Sequence, residues 1–181
     1  FSRTVFSHGW CTLPPFRVNK EHESLERILR LRNGRLVQCT MRDSSDHIKI
    51  NVVSRETLSR AHQGEISCQL RSCLRLDEDF LEFFEEARRL PQFRWIPKTG
   101  AGRLLRAPTV FEDTVKMICT TNCSWALTEA MTRNLTGELG KHFQNGRAGF
   151  PQPEAMAGVS ESFIRKNIRA GYRSPYLIEL A

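Results

Sequence analysis

No apolar run in these 181 residues approaches the ~18–20 that a helix needs to cross a bilayer. No signal peptide is visible at the N-terminus. None of the six cysteines (Cys11, Cys39, Cys68, Cys73, Cys119, Cys123) forms a C-x2-C pair, and no two histidines stand at zinc spacing, so the common structural zinc sites are excluded and no metal is expected. His8, His22, His47, His62 and His142 form no recognisable nucleophile or metal constellation. Reduced thiols in an intracellular protein are the expectation, with Cys39 and Cys68 as small core residues of strands. Internal repeats and low-complexity segments are missing too. The first residue is Phe1 rather than Met, which leads us to expect a piece of a longer chain.

What is present is ordinary for a water-exposed fold with a sizeable core: 40% hydrophobic and 26% charged residues, in a length that suits one large domain or two small ones. The net charge of +7 favours nucleic acid or an anionic surface, although a merely solvated basic face gives the same number. The excess is spread out, +4 in residues 1–100 and +3 in 101–181. Arg165, Lys166, Arg169 and Arg173 form a run with no acid inside it.

The first hundred residues read as strands. In "ILRLRNGRLVQCTM", Asn33-Gly34 separates two apolar-alternating arms. The pair suits a two-residue type I′ turn and predicts a hairpin of 25–32 with 35–42. "IKINVV" predicts a third strand, with Ile48, Ile50 and Val52 on one face. "EISCQLRSCLRL" alternates again and predicts a fourth, after a short helix over "SRETLSRAH". Asp77 then caps a helix whose stripe, Phe80, Leu81, Phe83, Phe84, Ala87 and Leu90, is expected to cover one face of the antiparallel sheet. Pro91 ends it, and the Pro- and Gly-containing stretch to Pro108 reads as the crossing between halves near residue 100.

From there the pattern is helical. Thr109-x-x-Glu112 has the form of a capping box opening a helix to about Thr120, with Phe111, Val115 and Ile118 inward. Ser124 caps a second helix with the stripe Leu127, Ala130, Met131 and Leu135, closed by Gly137 and Gly140. A Pro-started short helix follows in "FPQPEAMAG". Ser160 starts another that ends at Gly171, and Ser174-Pro175 opens a last one. Between the first two helices, "MICTTNCSW" makes a polar elbow with Asn122 at its tip.

The segments "GRLLRAP", "FEDTVKMICTTNCSWALTEAMTRNLTGELG", "FPQPEAMAGV" and "IRAGYRSPYLIELA", in this order and spacing, resemble the first half of the catalytic domain of helix-hairpin-helix DNA glycosylases. The groups it is similar to are the bacterial 3-methyladenine DNA glycosylase II group and the 8-oxoguanine DNA glycosylases. The likeness runs from Gly102 to Ala181. By layout, the strand-rich first half is similar to the TATA-binding-protein-like domain that precedes it in both groups. The expected fold class is therefore α+β: residues 1–100 an antiparallel sheet with a packed helix, residues 101–181 the first part of a helical glycosylase domain.

The resemblance implies base-excision repair: hydrolysis of the N-glycosidic bond of a damaged base in double-stranded DNA, by a monomer with no cofactor and no membrane partner. A glycosylase cannot reach a base inside the stack and must extrude the nucleotide. The gap needs a plug, because unstacking costs a few kcal/mol. The resemblance places Asn122 as that plug. It places Tyr172 as a wedge beside the orphan base and Arg173 on that base's edge, while the basic run Arg165, Lys166 and Arg169 suits a track along phosphates. Turn chemistry alone also explains an asparagine at an elbow, and a basic helix face is as readily solvated as bound.

Two departures matter. Leu127 stands where the 8-oxoguanine enzymes place an arginine that reads cytosine, which points to an alkylated base or a broader specificity. The family's Gly-hydrophobic-Gly hairpin and catalytic aspartate find no match after Gly171. No catalytic residue is therefore assigned, and Asp113 and Glu129 fall on helices the family uses for packing. This chain alone is expected to be inactive. Phe16, Trp95 and Trp125 are expected in core packing rather than in a base pocket, and "LPPFR" loosely resembles a loop of the alkylpurine group. The alternatives are a non-catalytic DNA-binding or lesion-recognition module of the same fold, and a basic domain with a protein partner.

Overall fold

The computed structural model describes every residue except Lys20, His22 and Asn145; of the five histidines, His22 thus lies outside the described residues. A short helix α1 (Ser2–Val5) leads into a four-stranded antiparallel meander, β1 (Phe16–Asn19), β2 (Ser24–Arg30), β3 (Leu36–Ser44) and β4 (His47–Val53), in the order β1-β2-β3-β4. Register pairs Leu25 with Met41, Arg27 with Cys39 and Leu29 with Val37, which puts these six side chains on one face. The hairpin forms where Asn33-Gly34 predicts it, but on a wider turn. Leu31 N–H donates to the Arg35 carbonyl, and of the two turn residues only Gly34 takes a positive φ, 80°. A two-residue type I′ turn needs both.

The segment read as a fourth strand, "EISCQLRSCLRL", is instead largely helix α2 (Arg60–Leu74), and the helix expected over "SRETLSRAH" does not precede it. Ile66, Leu70, Cys73 and Leu74 recur at helical steps and are buried against the sheet, while Cys68 is exposed. Ser59 fixes the start. Its hydroxyl accepts the His62 N–H at 3.2 Å, and the His62 ring accepts the Ser59 N–H at 3.3 Å. The fourth strand of the sheet is β1, whose four residues are too few to show alternation.

The Phe-rich stripe does form a helix, α3 (Leu81–Arg89), continued by the short α4 (Trp95–Thr99). It does not cover the sheet, because α2 occupies that face. Ala87 alone in α3 is buried; Leu81, Phe83, Leu90, Phe93 and Trp95 are exposed. Phe80, Phe83 and Phe84 pack on one another, with the Arg75 and Arg103 guanidinium groups over the Phe80 ring. Asp77 pairs with Arg71 instead of capping the helix; Asp79 accepts the Leu81 N–H at 2.8 Å.

The helical half follows as α5 (Val110–Thr120), α6 (Trp125–Leu139), α7 (Pro153–Ala157), α8 (Glu161–Phe163) and α9 (Ser174–Leu180). Thr109 caps α5 and Ser124 caps α6, each accepting an N–H three residues on. After α8 the chain widens into a π turn (Ile164–Ile168) stopped by Arg169 at φ 65°, and a 3-10 turn (Gly171–Arg173) precedes α9.

Two buried clusters result. One joins the sheet, α2, the N-terminal segment and Leu105; the other joins α5, α6, α9 and the π turn through Val115, Cys119, Met131, Leu135, Ile164 and Leu177. Polar links stitch them together. Arg27 of β2 forks onto both carboxylate oxygens of Glu112, at 3.1 and 2.5 Å; the Trp10 indole donates to Asp113 at 2.8 Å; Arg147 donates to Glu26 at 2.6 Å. Among the described residues, no helix is long and apolar enough to cross a membrane.

Candidate nucleic-acid interface

The elbow between α5 and α6 is built from its own small polar residues. The Thr120 and Thr121 hydroxyls donate back to the carbonyls of Met117 and Ile118 at 2.7 and 2.8 Å. Thr128 of α6 donates to the Cys119 carbonyl at 3.1 Å, and the Cys123 thiol reaches the same oxygen at 3.2 Å. Three of the carbonyls that α5 leaves without helical partners, those of Met117, Ile118 and Cys119, thus gain hydrogen bonds. Asn122 sits at φ 44°, the left-handed region that asparagine tolerates better than most residues, and its side chain is exposed.

Thr121 is also where the two halves of the predicted site meet. The Tyr172 phenol lies 3.2 Å from the Thr121 hydroxyl and 3.3 Å from its carbonyl, and the ring is half exposed. Hydrogen bonding with Thr121, and further with the Asn122 side chain, holds the Tyr172 hydroxyl below the usual phenol value. Asn122 and Tyr172, fifty residues apart in the chain, therefore share one corner. Arg173 does something different from what the sequence suggested. It is only 4% exposed; its guanidinium donates to the Thr121 carbonyl, to the Thr121 hydroxyl at 3.2 Å and to the Ala170 carbonyl at 3.4 Å, and lies 4.5 Å over the Tyr172 ring. It is a brace inside the corner rather than a free reader of a base edge.

Arg165, Lys166 and Arg169 are exposed on the α8–π-turn segment. Arg165 pairs with Glu161 one turn earlier, so its charge is partly answered. No described hydrogen bond or ion pair joins these three to the elbow. Met117, on the last turn of α5, and Trp125, the first residue of α6, expose apolar surface on either side of the tip.

What lies behind Trp125 has no local signature in the chain. Its indole donates to Thr12 at 3.1 Å, its ring centroid is 6.3 Å from that of Trp10, and His8 stacks on Trp10 at 4.7 Å. Gly9, at φ 90°, lies against the same indole: a Cβ there would stand 2.8 Å from the ring. Trp125 is thus partly exposed rather than core, Trp95 is exposed, and Phe16 is buried. The signal that could have paired them, Trp10 with Trp125, spans more than a hundred residues and has no local periodicity.

Behind the elbow, α5 carries two charges and meets a third from β2, all out of contact with water: Glu112, Lys116 and Arg27 are 2%, 0% and 2% exposed. Burial pushes the Glu112 carboxyl up, but Arg27 and Lys116 more than offset this and hold it below the usual carboxylate range. Burial pushes the Lys116 ammonium down; Glu112 pulls it up without making good the difference, and Arg27 repels it. Both values fall, which favours the charged form of Glu112 and disfavours that of Lys116, because one carboxylate serves two cations and the forked Arg27 has the stronger share. Burial raises the Cys39, Cys73 and Cys119 thiols to about 12, which leaves them unreactive. Asp113 accepts from Trp10 and from the Ala107 N–H at 2.9 Å, a packing role. Among the described residues, no group of three or more His, Cys, Asp or Glu could hold a metal ion.

No family model matches the chain, and no curated protein matches it. Solved structures do. Ninety-nine percent of the chain superposes on a 3-methyladenine DNA glycosylase from Archaeoglobus fulgidus with a TM-score of 0.76 at 19% identity, covering 61% of that protein. MBOgg1 in complex with a low-affinity DNA ligand gives 0.71 over 98% of the chain and 56% of that structure, at 19% identity. The apo 8-oxoguanine glycosylase/lyase of Clostridium acetobutylicum gives 0.71 over 97% and 57%, also at 19% identity. The chain therefore has the α+β fold of DNA glycosylases and spans about three fifths of the length of these structures.

Proposed function

We propose that this chain is the DNA-facing part of a base-excision DNA glycosylase, in which Asn122 enters the space left by an extruded nucleotide and Tyr172 stacks beside it. One observation carries the reading: an exposed amide and a half-exposed phenol meet at a helix–helix corner where the side chains of Thr120, Thr121, Cys123, Thr128 and Arg173 are hydrogen-bonded within the protein. A plug works by holding its shape against a stack that would otherwise close, so a braced corner suits it. The glycosylase fold adds support, as does the net charge of +7.

Arg173 acts in this reading as the brace of the corner, while Arg165, Lys166 and Arg169 add a salt-dependent phosphate attraction. Leu127, half-buried beside the helical core, has no group to read an orphan cytosine, which favours an alkylated or more broadly defined lesion. Bond hydrolysis is assigned to no residue of this chain, and the chain by itself does not turn over.

The test is binding to duplex DNA with and without an abasic site, at two salt concentrations. Asn122→Ala should weaken abasic-site binding by about tenfold, or 1.4 kcal/mol, and leave intact-duplex binding nearly unchanged. Equal loss on both duplexes would reduce Asn122 to a turn residue. Base release from alkylated or oxidised duplex by this chain alone would refute its inactivity.

A further inference from the structure

Midway along α5, before the helix reaches the elbow, the Arg27–Glu112–Lys116 cluster ties it to three other parts of the molecule. Arg27 comes from the centre of the sheet and takes both oxygens of Glu112, which fixes the plane of that carboxylate. Lys116, one turn further on, donates to Glu112 Oε1 at 2.7 Å and reaches the Leu13 carbonyl of the N-terminal segment at 3.5 Å. Its ammonium also lies over the Phe16 ring at 5.1 Å and the Phe150 ring at 5.7 Å, one from each buried cluster.

Three ionised groups are a poor way to gain stability here. Removing charges from water costs several kcal/mol each, and replacing such a cluster with apolar side chains is often neutral or stabilising. What the geometry supplies is placement. A helix held only by apolar contacts tolerates small slides and turns. One residue of slip moves it ~1.5 Å and turns it by about 100°, and either would re-aim a residue just past its end. The fork and the Leu13 contact permit one setting of α5 against β2.

We infer that Arg27, Glu112 and Lys116 are positioning residues for the elbow, setting the aim of Asn122 at the gap in the duplex from inside the core. This rests on the reading of Asn122 given above. None of the three touches DNA: all are sealed from solvent. Their effect is on the shape of the corner, and so on the preference for a duplex with a gap over one without.

The triple variant Arg27→Met/Glu112→Leu/Lys116→Met removes the charges and keeps apolar volume. It should unfold at the wild-type temperature or above, bind intact duplex with unchanged affinity and salt dependence, and lose about tenfold in preference for an abasic-site duplex. A merely structural cluster would lower stability and both affinities together. A folded triple variant with full abasic-site preference would overturn the inference. Should the triple variant not fold, Lys116→Met alone decides, because it leaves Arg27 and Glu112 as a one-to-one pair: about threefold loss of preference supports the role, and none overturns it. Asn122→Ala measured alongside separates the two levels. If it leaves the preference intact, the plug reading falls and this inference with it; if it lowers the preference while the charge variants do not, only the inference falls.

Discussion

Two helical corners of this molecule hold their chains in opposite ways. At the α5–α6 corner the protein hydrogen-bonds the side chains of Thr120, Thr121, Cys123 and Thr128 and seals a brace, Arg173, behind the tip. In the α3–α4 arm it buries Ala87 and leaves Leu81, Phe83, Leu90, Phe93 and Trp95 facing outward. The first corner is stiff because its alternatives would strand buried charges and carbonyls. The second is held mainly by one ring cluster, and little in its surroundings penalises movement. Rigidity here follows the bookkeeping of buried polar groups more than the amount of apolar surface.

The contrast can be broken most forcefully from the stiff side. Glu112→Leu, made alone, leaves Arg27 and Lys116 without their counter-charge and should cost about 3–5 kcal/mol in urea unfolding. Acid reaches the same group more gently. The folded-state pKa of Glu112 lies below its unfolded value, so its contribution is complete above the ordinary carboxylate range and lost as pH falls through the lowered value. Unfolding free energy should therefore drop on acidification below about pH 4, more steeply in the wild type than in Glu112→Leu. Arg173→Met should cost about 1.5–3 kcal/mol through lost charge-assisted bonds, and should free the Thr121 amide region to exchange with solvent deuterium. In the arm, Leu81→Ser at a side chain 64% exposed should change stability by less than about 0.5 kcal/mol. A cost above 1 kcal/mol there would show that the arm is held more firmly than its exposure implies.

The same contrast explains which features were legible in the sequence. Turn and cap residues act on their immediate neighbours, so Asn33-Gly34, Thr109 and Ser124 marked the hairpin and the two helices correctly. The α2 segment satisfies both a two-residue and a helical period over short windows, and Ser59–His62 settles it through a histidine standing where a capping box usually has Glu or Gln. The stripe of α3 is strongly periodic, but periodicity does not state which surface is vacant, and α2 had taken the sheet. Asn122 and Tyr172 were visible as residue types at plausible places. The burial of Arg173 was not, because it depends on where Thr121 points. Nor was the Arg27–Glu112 fork, whose members stand 85 residues apart and look like ordinary surface charges in their own strand and helix.

Gly9 carries a consequence for anyone who alters the amino-terminal end. Its bare α-carbon accepts the flat of the Trp125 indole, and that indole opens the helix on the far side of the corner. A methyl group there would be opposed twice, once by the torsion and once by the ring. The opening dozen residues and the start of α6 thus behave as one mechanical part. Trimming or re-threading the leading segment would unseat a tryptophan more than a hundred positions downstream, and the loosening would surface at the very corner that faces outward.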